Sequence, residues 1–261
     1  MNKNELKMLD LLKDLKDNHD VIGIKAEFEA EATRIPELTA LSEVVYRADS
    51  DIFLKIGGCE AVTDMDVSKT YGVKGVIAPM IESPFALRKY ADAVTKAYDG
   101  CGISGTQFLF NVETKIGFAN LDEILSSPAA EKVHGAVIGR VDLSASYGYD
   151  RSMIENEDMF SVCRTILEKL KARGFIAGMG GAISADSIPN INRLGSLLDR
   201  VETRKIIFNV KNGTDKMKSG LKKAIEFEYL YIYNLAEIYG RMSKENDARI
   251  KMLEKRLNAI G

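Results

Sequence analysis

The sequence predicts an α/β fold, a TIM-type (β/α)8 barrel with an extended C-terminal helix, on three observations. At 261 residues the chain can bury one large core and has the usual length of a single-domain barrel. Short apolar runs alternate with segments of helical period, the rhythm of successive parallel β/α units. No Pro-rich linker, low-complexity tract or shift in composition divides the chain.

The elements follow in order. The opening MNKNELKMLDLLKDLKDNHD mixes both signs of charge into an amphipathic helix, and is neither a signal peptide nor a transmembrane span. Strands are expected at VIGIKAEF from Val21, IFLKIGG from Ile52, KGVIAPM from Lys74 and QFLFNVE from Gln107, then at HGAVIGRVD from His134, FIAGMGG from Phe175 and TRKIIFNV from Thr203. An eighth is possible around Leu198 to Glu202, and this number fits a closed barrel better than an open sheet. Helical stretches lie between them, such as ELTALSEVVYRAD and MFSVCRTILEKLKARG; the second stops at Gly174 as a helix end should. The barrel is expected over residues 1–220 and a helical extension over 221–261. In that extension Ile250, Leu253, Leu257 and Ile260 recur at coiled-coil spacing. Five aromatic residues fall between Phe227 and Tyr239, more than a solvated helix would expose. Two readings stand: a helix packed on its own barrel, or one that reaches a neighbouring subunit.

Acidic and basic residues number 38 and 36, so a net charge of −2 gives no reason to expect nucleic acid or an anionic membrane as partner. Cys59, Cys101 and Cys163 show no C-x-x-C spacing, which argues against a zinc cluster and a disulfide framework and for reduced thiols in a cytoplasmic enzyme.

In a parallel barrel, catalytic groups gather at the carboxyl ends of the strands. Here those ends are polar throughout. The first closes with Lys25, Glu27, Glu29 and Glu31, the second with Lys55, Gly57, Gly58 and Glu60, the third with Glu82, the fourth with Glu113 and Lys115. Arg140 and Asp142 close the fifth, and Glu202, Arg204 and Lys205 the seventh. Any one of these could be a surface ion pair; their recurrence at the same point of successive units is what suggests a site. Glu113 and Asp142, from neighbouring strands, could hold a hard divalent ion while leaving positions for water and substrate. With only two histidines, an oxygen-rich Mg²⁺ or Mn²⁺ site is favoured over zinc. Such an ion would polarise a chelated 2-oxo acid, with Lys55 and Arg140 as candidates for its carboxylate.

FNVETKIGFANLDEIL followed by HGAVIGRVDLSASYGY resembles the paired signature of the HpcH/HpaI aldolase and citrate lyase β-subunit group, and KGVIAPMIESPFALRKYADAV looks like the strand and helix preceding it. The resemblance covers residues 50–150 well. It implies Glu113 and Asp142 as metal ligands in a modified TIM barrel that binds pyruvate or a related 2-oxo acid as its enolate. It also implies a homo-oligomer, trimer or hexamer, with exchanged C-terminal helices. The expected substrate-binding set is Lys25, Lys55, Gly139, Arg140 and Glu82, and the expected catalytic set Lys55, Arg140, Glu27 and Glu29. Four positions depart from the family pattern: Lys55 stands where aldolases carry arginine, Arg140 where proline is common, Asn111 where glutamine is common, and the loop histidine has no counterpart, since His19 precedes the first strand and His134 opens the fifth.

The expected activity is metal-dependent carbon–carbon lysis of a small 2-oxo acid. Citrate-lyase-like, acyl-CoA or phosphoenolpyruvate chemistry on the same platform, or a noncatalytic binding subunit, are the alternatives. GMGGAIS, residues 178–184, could approach a ligand closely or form a simple tight turn, and Ser144 and Ser146 read as capping residues for the next helix rather than nucleophiles.

Overall fold

The computed structural model of the protein describes residues 1–98 and 105–260, the last five by backbone alone. Cys101 therefore lies outside the described residues. Eight strands close into one barrel in chain order: β1 (Val21–Glu27), β2 (Ile52–Lys55), β3 (Gly75–Ala78), β4 (Gln107–Val112), β5 (Gly135–Gly139), β6 (Ile176–Gly180), β7 (Arg200–Glu202) and β8 (Ile206–Asn209). Around them lie α1 (Lys3–Asn18), α2 (Ile35–Arg47), α3 (Val62–Thr70), α4 (Pro84–Tyr98), α5 (Lys115–Ala119), α6 (Leu121–Ser126), α7 (Arg140–Ser146), α8 (Glu157–Ala172), α9 (Ile188–Leu194) and α10 (Asp215–Ile260).

The strands from β1 to β7 pair in parallel, whereas β8 runs antiparallel to both β7 and β1. This corrects the expectation of parallel units throughout: the run from Thr203 is the eighth strand, and the stretch after Leu198 supplies a short seventh. Residues 203–205 alone separate the two. Three residues close a hairpin, whereas a parallel crossover needs a dozen or more. The hairpin turns at the end where β1 to β6 finish, so Glu202, Arg204 and Lys205 arrive at the barrel mouth.

Strand periodicity sorts the side chains into two layers. Outward-facing Ile24, Leu54, Val76, Phe110, Ile138 and Met179 join the large core under the helices. Inside, Phe53, Ile77, Leu109 and Ile207 form a small separate cluster. A Cβ at Gly75 would come within 2.3 Å of the Phe53 ring, so that glycine leaves the room the aromatic fills.

α1 begins with a capping box, in which Asn2 accepts from the Glu5 amide and Glu5 from that of Asn2. Its buried face packs between α2 and α10. Over its 46 residues α10 spans roughly 70 Å. Its first part is anchored by buried Phe227, Leu230, Tyr231 and Asn234, the last accepting from Asn2 Nδ2 at 2.8 Å. From Arg241 to Ile250 every residue is exposed. The sequence-based boundary at 220/221 falls inside this helix. Among the described residues no helix is long and apolar enough to cross a membrane.

Candidate active site

Two ion-paired lysines define the mouth. Lys25 on β1 lies 2.9 Å from Glu27 and 3.7 Å from Glu202, and Glu202 lies 3.0 Å from Arg200 deeper in the barrel. On the rim Arg204 reaches Glu27 at 3.6 Å and Glu31 at 3.0 Å. Lys205 also pairs with Glu31 and sits 4.2 Å over the ring of Tyr231 on α10. Burial pushes the Lys205 ammonium below its ordinary range, an effect only partly offset by Glu31. Burial alone would raise the Glu27 carboxyl, but Lys25, Arg204 and Lys55 outweigh it and hold the group below the usual carboxylate range.

The second lysine, Lys55 at the end of β2, is bracketed by Glu29 at 2.8 Å and Glu113 at 3.3 Å. Desolvation would lower its ammonium; Glu113 and Glu29 prevail and raise it. Glu113 follows β4 and is 2 % exposed. Its Oε2 also accepts from Asn111 Nδ2 at 2.7 Å, and its Oε1 from the Met80 amide at 2.9 Å. Met80 has φ of 51°, a left-handed conformation uncommon outside glycine, and this turn after β3 presents the amide to Glu113.

The fifth unit is arranged differently from its sequence reading. β5 ends at Gly139, and Arg140 and Asp142 belong to the first turn of α7. Arg140 is 2 % exposed. Its guanidinium donates to the Gly181 carbonyl, to Glu155 at 2.8 Å and to Ser187 at 3.2 Å, so it ties the loops after β5 and β6 together behind the mouth. Its donors are spent on protein rather than turned to a substrate carboxylate. Gly181 has φ of 87° and lies under the α7 amides, where a Cβ would come within 2.8 Å of the Val141 nitrogen. The glycine cluster is therefore a tight turn.

Ser144 and Ser146 lie within α7 rather than at its start, which corrects their reading as caps; Gly139 holds the N-cap position. Ser146 Oγ instead accepts from the Lys115 amide at 2.8 Å and so pins the start of α5. Glu82 accepts from Thr114 at 2.6 Å and fixes the same β4–α5 turn. His134 accepts from the Phe108 amide at 3.0 Å and His19 contacts Ser219 at 2.8 Å, both structural positions.

Carboxylate and amide oxygens, such as those of Glu113 and Asn111, are the donors that suit Mg²⁺ or Mn²⁺. Two features of the corner around Glu113 fit a divalent cation. A Cβ at Gly139 would lie 2.6 Å from Glu113 Oε2, so the glycine keeps the space around that oxygen open. Asn111 Oδ1 is buried beside Glu113 without a hydrogen-bond partner. Asp142 is exposed in the first turn of α7. Among the described residues no three His, Cys, Asp or Glu side chains come together as a metal-ligating group.

Sequence reasoning missed Arg200, Asn111 as a direct partner of Glu113, and the Met80 amide. Arg200 carried a signal: inward alternation on a strand ending in Glu202. A backbone donor carries none.

The comparisons with known proteins agree with this architecture. The family model described as HpcH/HpaI aldolase/citrate lyase matches residues 26–186. No curated protein matches the chain. Among solved structures, the HpcH/HpaI aldolase from Desulfitobacterium hafniense DCB-2 is 14 % identical with TM-score 0.60, covering 75 % of this chain and 81 % of that one. An HpcH/HpaI aldolase/citrate lyase family protein from Burkholderia cenocepacia J2315 is 14 % identical with TM-score 0.57, over 76 % and 83 %. A variant of the citrate synthase SbnG is 15 % identical with TM-score 0.55, over 93 % and 90 %. At these identities the structures speak for the fold. The family match spans more than half of the chain and includes Glu113, Gly139 and Asp142, and the chain belongs to the HpcH/HpaI aldolase/citrate lyase family.

Proposed function

We propose that the protein is a divalent-metal-dependent carbon–carbon lyase acting on a small 2-oxo acid at the barrel mouth. The observation that carries this reading is the buried Glu113 carboxylate, held against the Lys55 ammonium just after β4, the strand next to the one that leads into Asp142. Glu113 and Asp142 would hold the cation, which supplies a Lewis acid for negative charge developing on the 2-oxo oxygen.

The remaining roles follow from charge. Lys55 is kept protonated by its two carboxylates, and a protonated amine anchors a substrate carboxylate but cannot form a Schiff base. Glu27, held as an anion by three cations, keeps Lys25 and Arg204 in place rather than trading protons near neutral pH. Glu29, with 27 % of its side chain exposed, is the carboxylate of this cluster that reaches solvent and serves as general acid and base.

The exposed end of α10 suggests a homo-oligomer, and the free thiols Cys59 and Cys163 suit a reducing, cytoplasmic setting. Proton exchange tests the activity. With Mn²⁺ in deuterated water, wild-type protein is expected to exchange the methyl or methylene protons of pyruvate or oxaloacetate, read by NMR, and Glu113→Gln to abolish it. Mn²⁺ binding without exchange on any such acid would turn the reading toward acyl-CoA or citrate-type chemistry. Absence of Mn²⁺ binding would point to a noncatalytic subunit.

A further inference from the structure

We infer that Glu29 is a second berth for the Lys55 ammonium, which draws it away from Glu113 when a divalent cation binds, so that metal loading and the placement of Lys55 form one coupled equilibrium. The inference rests on the metal-dependent reading of the same site.

Lys55 Nζ is shared, 2.8 Å from Glu29 Oε2 and 3.3 Å from Glu113 Oε2. The Glu113 side chain is 1 % exposed, so its negative charge needs a nearby cation whenever no metal is present. Lys55 is that cation. A dication reaching the same carboxylate would meet an ammonium in a weakly screened corner, where like charges repel strongly. The Asn111 and Met80 donors are neutral and can stay. Lys55 has to give way.

Glu29 offers the place to go. Its Oε2 already lies nearer the ammonium than Glu113 Oε2 does, and that oxygen is buried without a hydrogen-bond partner, whereas Lys55 donates its hydrogen bond to Glu113. Lysine suits this exchange because a point charge on a flexible stem can pivot between two carboxylates, whereas a planar guanidinium would be fixed by paired hydrogen bonds. Glu29 thus acts through Lys55 as a positioning residue for metal loading, beyond the proton-transfer role proposed above.

The test is Mn²⁺ affinity of the full-length protein, measured by electron paramagnetic resonance of the free ion, together with melting in EDTA. Lys55→Met should bind Mn²⁺ roughly tenfold more tightly than wild type and Glu29→Gln roughly tenfold more weakly, each a shift of one decade in Kd. The double variant should match Lys55→Met, because without the ammonium Glu29 has nothing to hold; a simple through-space effect of the Glu29 charge would persist there instead. In EDTA, Lys55→Met should melt lower than wild type and recover on adding Mn²⁺. If Lys55→Met does not fold, Glu29→Gln beside Glu29→Gln/Lys55→Arg decides, since a fixed guanidinium should reduce the dependence on residue 29. Wild type that binds Mn²⁺, with Glu113→Gln unable to bind it and the lysine and Glu29 variants unchanged, overturns the inference alone. Wild type that binds no Mn²⁺ overturns the metal reading and the inference together.

Discussion

The guanidinium of Arg200 lies 4.7 Å over the ring centroid of Phe53 in the middle of the barrel. This pair joins the apolar interior to the charged groups that lead to the mouth. Phe53 packs with Ile77, Leu109 and Ile207 in the small interior cluster, and from Arg200 a continuous series of charges runs through Glu202 and Lys25 to Glu27 and Arg204. The side chains of Arg200 and Glu202 are each 2 % exposed. Removing one member strands its partner. Arg200→Leu is expected to cost about 3–5 kcal/mol, the usual consequence of breaking a buried ion pair from one side, as read from the urea midpoint. A smaller loss would show that Lys25, at 3.7 Å, suffices for Glu202.

Gly139→Ala should act on the site more than on the fold. The added Cβ would come within 2.6 Å of Glu113 Oε2 and 2.8 Å of Glu113 Cβ, displacing the carboxylate from its three donors. A misplacement of this size lowers turnover by about 10²-fold. Steady-state kinetics beside a melting curve would separate that effect from general unfolding.

The Glu27 carboxyl makes the acid limb of the stability curve steeper. Its folded-state value lies below the ordinary 4.5, so its contribution is present above that pH and is lost as pH falls through the depressed value. Glu27→Gln should therefore lose less stability than wild type between about pH 5 and pH 3, measured by denaturant midpoints across that range. Parallel curves would dismiss the assignment.

Lys205→Met is expected to be tolerated. The ammonium is fully buried over Tyr231, and Glu31 keeps Arg204 at 3.0 Å when Lys205 is gone. Replacing a buried charge whose partner retains another cation should change stability by no more than about 1–2 kcal/mol, in either direction. A larger loss in chemical denaturation would mean that Arg204, exposed on the rim, cannot hold Glu31 by itself.

Truncation after Gly240 tests the role of the projecting helix. The segment from Arg241 to Ile250 is wholly exposed, Met242, Ile250 and the following Leu253 are exposed apolar residues, and Phe227 and Tyr231 anchor the retained part. The truncated chain should keep its fold by circular dichroism and lose the proposed homo-oligomeric mass in light scattering. An unchanged mass would assign assembly to another surface.

The sequence by itself determined the apolar strands, the helices between them and the carboxylates and lysines at the barrel mouth. These depend on periodicity and on residue types whose chemistry is local, as in FNVETK and GRVDLS. It also showed a long C-terminal helix. Tertiary structure alone decided the direction of β8, because either strand direction satisfies the apolar pattern of IIFN and the short turn at 203–205 settles it. The fate of each cation was likewise decided in space. Lys55 and Arg140 look alike at strand ends, yet Lys55 stands between two mouth carboxylates while Arg140 is consumed by Glu155, Ser187 and the Gly181 carbonyl from chain segments far along the sequence. The energy of a buried charge depends on which opposite charges the fold brings within a few ångströms, and no linear pattern encodes that distance.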